Sequence, residues 1–210
     1  MKRIFTFFIF IILFLVNTVY AQSIYKIELN GGRITSSWEN KLLPNWDTGW
    51  SFGITASKQI KSEIELISSF SFQNFKFQSD RVQFPPTLAI LGYFQKVSYG
   101  ENSNVYNFSF GVKLLSPANK ISTFISFSGG IQYINQGKIF ITGGSSLSNS
   151  KTYLYDNSDR NYIMGFVSIG TGLSFRLMSK INLTAEGKII STLKDFTTYP
   201  NISTGIQYTF

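Results

Sequence analysis

The chain has 210 residues, a net charge of +8, 14% charged and 17% aromatic residues, and neither cysteine nor histidine. These values exclude a disulfide scaffold, thiol chemistry and a lipid anchor through cysteine. They also remove the commonest general base and transition-metal ligand. Soluble domains carry about 25% charged residues, so a charge content this low with so many aromatics points away from a water-soluble globule.

The N-terminus reads as a secretory leader. Met1-Lys2-Arg3 is a basic start, 4–16 is apolar apart from Thr6, and Val19-Tyr20-Ala21 places small residues before a cleavage point. The apolar run is shorter than the ~20 residues of a spanning helix. The expected domain plan is a signal peptide over 1–21 and one domain over 22–210. No later apolar stretch approaches the length of a spanning helix.

From there the chain alternates apolar and polar residues, the mark of strands with two different faces. Eight segments follow in order: 24–32, 49–57, 62–73, 104–115, 121–133, 161–177, 180–192 and 201–210. In the first, Tyr25, Ile27 and Leu29 alternate with Lys26, Glu28 and Asn30. In the second, Trp50, Phe52 and Ile54 alternate with Ser51, Gly53 and Thr55. The third sets Ile64, Leu66, Phe70 and Phe72 against Glu63, Glu65, Ser69, Ser71 and Gln73. The fourth sets Tyr106, Phe108, Phe110 and Val112 against Asn107, Ser109, Gly111 and Lys113. The fifth sets Ile125, Phe127, Ile131 and Tyr133 against Ser126, Ser128, Gly130 and Gln132. The sixth sets Val167, Ile169, Leu173 and Phe175 against Ser168, Gly170, Gly172, Ser174 and Arg176. The seventh sets Ile181, Leu183, Ala185 and Ile189 against Asn182, Thr184, Glu186 and Lys188. In the last, Ile202, Thr204, Ile206, Tyr208 and Phe210 oppose Asn201, Ser203, Gly205, Gln207 and Thr209. Ile67, Phe124, Tyr162, Met164, Phe166 and Ile190 break the pattern by falling on the polar face.

Connections at 58–61, 116–119 and 178–179 are short. Those at 36–47, 78–102, 134–160 and 193–200 are long and rich in Asn, Asp, Ser, Gly and Pro. Short turns at one end and long loops at the other describe an all-β, antiparallel, up-and-down transmembrane barrel of eight strands in a bacterial outer membrane. Strands at 87–98 and 138–143 would raise the number to ten.

The polar face is mostly Ser, Thr, Asn, Gln and Gly, which suits the narrow inside of a small barrel better than a water-facing surface. Its charges balance: Lys26, Lys113, Arg176 and Lys188 against Glu28, Glu63, Glu65 and Glu186. Charges in a narrow lumen must pair, so these eight are the expected lumen network. Tyr25, Trp50, Tyr106, Tyr133, Tyr162 and Tyr208 lie towards strand ends, where aromatic girdles sit. Lys58, Lys61, Lys120 and Lys180 stand at the short turns, within reach of lipid headgroups.

The last strand, ending Gly205-Ile206-Gln207-Tyr208-Thr209-Phe210, resembles the C-terminal assembly signal of outer-membrane barrels: a terminal Phe, an aromatic two residues before it, and alternating apolar residues upstream. That resemblance implies recognition of Ile206, Tyr208 and Phe210 by the barrel assembly machinery. The mature chain as a whole resembles the small OmpX-like and OmpA-transmembrane-domain-like barrels.

Little points to chemistry. The hydrolases and proteases among small barrels rely on a histidine, so no enzyme activity is expected. Asp156-Asn157-Ser158-Asp159 is rich in oxygen ligands but lacks the spacing of a calcium loop, so neither metal nor cofactor is expected. Scattered positive charges make no nucleic-acid stripe. The expected role is structural, or binding of a surface ligand through loops 78–102 and 134–160. A narrow pore and a secreted soluble carrier are the alternatives, and outer-membrane lipids are the expected surroundings.

Overall fold

The computed structural model describes residues 24–35, 43, 45–82, 94–116, 120–144, 149–155, 161–194 and 196–210. The leader, the acidic stretch 156–159 and residues 83–93 lie outside the described residues. Eight long strands close into an antiparallel barrel: β1 (Tyr25–Ile34), β2 (Trp46–Lys61), β3 (Ile64–Phe77), β5 (Ser103–Leu115), β6 (Ile121–Asn135), β9 (Asn161–Arg176), β10 (Ile181–Thr192) and β11 (Thr198–Thr209). Their order around the wall is β1-β11-β10-β9-β6-β5-β3-β2. β1 pairs with both β2 and β11, and the Phe210 N–H donates to the Tyr25 carbonyl at 2.9 Å, so the wall has no free edge. Closure is what lets a sheet stand in lipid with every backbone group paired.

The ten-strand alternative is corrected. Parts of both doubtful segments are strands, but not wall strands. β4 (Phe94–Gly100), β7 (Ile139–Gly144) and β8 (Lys151–Tyr155) form a separate sheet in the order β4-β7-β8. It stands at the end of the barrel that carries the long connections, here the loop end; the opposite end is the turn end.

Wall strands run to 16 residues in β2 and β9, beyond the ~9–11 needed to cross a bilayer.

The two faces of the wall are the reverse of those of a soluble protein. Large apolar side chains point outward, with Ile163 70% and Ile202 68% exposed, while Glu65, Gln73 and Gln132 inside are fully buried. Inward glycines stand opposite three of the six residues that break the alternation. Ile67 pairs with Gly111, Phe124 with Gly172 and Phe166 with Gly130. A Cβ on Gly172 would lie 2.4 Å from Phe124 Cζ. Gly172 thus leaves the volume that the Phe124 ring fills, whereas a Cβ at Gly111 or Gly130 would strike the backbone of the adjacent strand; both effects let a narrow barrel stay packed.

Candidate functional site

The lumen is the one place where this fold gathers polar chemistry, and its two halves differ. In the turn half, Lys26 on β1 pairs with Glu65 on β3. Lys113 Nζ on β5 lies 3.6 Å from Glu28 Oε2 on β1, and Lys188 Nζ lies 3.3 Å from Glu186 Oε2 on the same strand. Hydrogen bonds extend the pairs. Asn182 Nδ2 donates to Gln207 Oε1 at 3.1 Å, and Gln207 Nε2 donates to Glu28 Oε2 at 3.4 Å. Ser126 Oγ donates to Glu186 Oε1 at 2.6 Å. Lys113 also sits 4.3 Å above the Phe124 ring, so that inward Phe offers a π-face to a buried cation. These bonds are what allow ionised groups to sit inside a narrow wall.

Six of the eight charges assigned to the lumen are therefore brought together, as three pairs. The other two stand apart from the pairs: Glu63 is corrected to a turn residue, and Arg176 lines only the turn-end mouth of the lumen. Glu63 occupies the tight turn between β2 and β3 and is exposed, because β3 begins one residue later. Arg176 ends β9 at the turn-end rim, also exposed, with no carboxylate at ion-pair distance among the described residues.

Above the charges, hydroxyls and amides meet across the middle. Thr55 Oγ1 and Ser69 Oγ lie 2.9 Å apart, Ser128 and Ser168 Oγ 2.6 Å apart, and Asn107 Nδ2 donates to Ser71 Oγ at 3.2 Å.

The loop half is apolar. Ile34, Trp46, Phe75, Val105, Ile134, Met164, Phe166, Ile190 and Tyr199 form one buried cluster to which all eight wall strands contribute. Leu43 and two residues of the small sheet, Ile139 and Ile141, complete it from above. Tyr199 runs across the lumen. It leaves β11 and its hydroxyl donates to Gln132 Oε1 on β6 at 3.2 Å, with Gln73 Oε1 on β3 at 3.5 Å. Its ring meets Phe75 edge-on at 6.0 Å. Trp46 is tied from above, donating through Nε1 to the Glu101 carbonyl at 2.9 Å. Arg81 bridges Asp47 at 3.0 Å and donates to the Trp46 carbonyl at 3.1 Å.

Sequence reasoning passes over most of this cap. Ile34, Trp46, Ile134 and Tyr199 lie just beyond the assigned segment ends, where the pleat continues but its inner face turns apolar. The signal is present in Tyr162, Met164, Phe166 and Ile190, the cluster of exceptions at loop-end positions. Tyr162 is expected in the girdle but packs against the cap.

Outside, Trp50, Phe72, Tyr106 and Tyr133 make a continuous row across β2, β3, β5 and β6, with centroid spacings of 5.2, 5.1 and 6.0 Å. Just beyond it, Asn74, Asn104, Asn135 and Asn161 are in register on adjacent strands. Aromatic residues below and amides above mark the boundary between hydrocarbon and headgroups. At the other end Ile206, Tyr208 and Phe210 point outward on β11, the last two rings in edge contact at 5.0 Å.

A closed wall with an apolar belt outside and paired charges inside defines the class: the transmembrane β-barrel of outer membranes. Two solved structures share the fold. The Neisserial surface protein A structure matches at 10% identity, covering 90% of this chain and 98% of that one, with a TM-score of 0.50. A major outer membrane protein from Thermus thermophilus matches at 8% identity, covering 90% and 100%, with a TM-score of 0.52. At these identities the likeness is one of fold. No family model and no curated protein matches the sequence.

Proposed function

We propose that this chain is an integral barrel of the bacterial outer membrane that passes no current and acts as a structural or surface-binding protein through its loop end. The cap carries this reading. A pore needs a continuous wet path, and here every wall strand sends an apolar side chain into the loop half, with Tyr199 lying across it. The small sheet and the loops beside it are then the parts that meet the outside. The same reading places outer-membrane lipids around the apolar belt and gives the outward Ile206, Tyr208 and Phe210 to the barrel assembly machinery during insertion. A soluble carrier would need the opposite arrangement, with its apolar face inward.

The test is single-channel conductance of the detergent-refolded mature chain in a planar bilayer. A folded, inserted and silent protein is expected. Stepwise currents that change when Glu186 or Lys188 is neutralised would overturn the proposal in favour of a narrow pore.

A further inference from the structure

Beneath the charge pairs the lumen opens at the turn end into a cavity of about 150 Å³. A water molecule occupies ~30 Å³, so this space admits several waters or one tetrahedral oxyanion. Its lining is strongly cationic: Lys26, Lys113, Lys120 and Arg176 face one carboxylate, Glu65. Lys26 is taken up by Glu65, and Lys113 by Glu28 just above. Lys120 and Arg176 are left with no carboxylate at ion-pair distance among the described residues.

The wall places those two cations side by side. The Arg176 N–H donates to the Lys120 carbonyl at 2.9 Å, so they occupy neighbouring positions where β6 and β9 meet the rim. The Lys120 ammonium lies 5.6 Å from the centre of the outward Phe175 ring, at the rim, so it reaches the recess by swinging off that ring. Ser122 and Ser174, paired on the same two strands, line the cavity beside them; the Ser122 hydroxyl donates to the Ser174 carbonyl at a long 3.5 Å, a bond weak enough to yield to an anion. A guanidinium presents a planar fork of donors that matches the oxygens of phosphate, and an ammonium adds a point charge. With Lys26 and Lys113 paired, the recess keeps an excess of positive charge at Lys120 and Arg176, and low-dielectric walls concentrate such a field.

We propose that this turn-end recess binds a phosphate-type oxyanion, held by Arg176 and Lys120 with hydroxyl help from Ser122 and Ser174. The site is independent of whether the barrel conducts, because it lies on the far side of the lumen from the cap. The phosphate can be free or carried by a lipid headgroup at the same membrane face; the chemistry is shared, and the experiment separates the sources.

The first probe is inorganic phosphate, titrated against the refolded chain in a neutral detergent and followed by calorimetry. The second is a nanodisc of phosphatidylcholine with or without phosphatidylglycerol, without free phosphate, in which Arg176 side-chain NMR signals are followed. Arg176→Gln with Lys120→Gln is compared with Lys58→Gln, a turn-end cation outside the recess. The heat-dependent gel shift confirms that each variant is folded. Saturable phosphate binding weakened about tenfold or more in the double variant, and unchanged in Lys58→Gln, supports the site with a free anion. Arg176 signals that move only with phosphatidylglycerol support it with a lipid headgroup. Binding of neither probe, or binding weakened equally by Lys58→Gln, overturns the proposal.

Discussion

The two halves of this lumen are built by the same eight strands with the same pleat, yet one is filled with apolar side chains and the other with polar and charged ones. At the loop end the inward positions carry Trp46, Phe75, Ile134, Phe166 and Tyr199. A few residues further along the same strands they carry Ser57, Glu65, Lys113, Ser126 and Gln207. Pleat alone therefore does not decide what a barrel's inside is. Depth along the strand does. Where the wall overruns the membrane and meets the small sheet, inward residues can join a continuous apolar core, which the hydrophobic effect stabilises. Within the membrane, with lipid outside and no second layer to cover the end, inward polar groups bond one another across the lumen.

That contrast is broken most severely by putting a charge in the apolar half. Ile134 is fully buried among apolar side chains. Ile134→Asp leaves a carboxylate without a cation, which costs several kcal/mol; the variant is expected to lose its heat-dependent gel shift at urea concentrations the parent withstands. Next comes Trp46→Ala, which empties a large volume under the small sheet and is expected to cost about 3–5 kcal/mol in urea unfolding from lipid vesicles. If the cap is the seal, the same variant is also the one in which a silent barrel begins to show current.

In the polar half the corresponding losses are smaller. Glu28→Gln removes the partner of Lys113, whose side chain is itself only 6% exposed. Removing one partner of a buried ion pair costs about 3–5 kcal/mol, and the cavity below the pair, open at the turn end, gives solvent access that offsets part of the loss. The expected midpoint shift is therefore below that of Trp46→Ala. Adding Lys113→Met should recover most of it. If it does not, the Lys113 ammonium is held chiefly by the Phe124 ring.

The same depth dependence explains what the sequence discloses. Period-two alternation within the membrane identifies all eight wall strands, because lipid on one face and a polar lumen on the other impose it. It blurs at the loop end, where apolar residues are wanted on the inner face as well. So Tyr199 and Trp46 fall outside the segments that alternation marks, and Tyr162, on the inner face by parity, is taken for a girdle residue when it packs against the cap. Segments 87–98 and 138–143 carry strand signals, but alternation within one segment does not name its partner, so a separate sheet and two more wall strands read alike. The charge pairs are legible as a balance of signs. Which lysine meets which glutamate depends on partners such as Lys26 and Glu65, which are on strands that do not pair with each other. Glu63 reads as a lumen residue because a two-residue turn keeps the parity of the strand it interrupts.

The smallest expected effect tests how freely the polar half rearranges. A Cβ at Gly170 would lie 2.6 Å from both Glu186 Oε1 and Ser126 Oγ. Both are side-chain ends rather than backbone, and the hydrogen bond between them is what must give way. Losing it costs about 1.5–3 kcal/mol, because the acceptor is a carboxylate. Against that, Gly→Ala narrows the unfolded ensemble by about 0.4–1 kcal/mol where the backbone tolerates it, and Gly170 has no left-handed φ. Gly170→Ala should therefore lower the urea midpoint only slightly, by less than Glu28→Gln does. In a Ser126→Ala background, where that bond is already absent, it should become stabilising. A large loss in both backgrounds would mean that the polar half is packed as rigidly as the cap. Glu186 would then be fixed by the wall rather than by Lys188, and the difference between the two halves would lie in polarity alone.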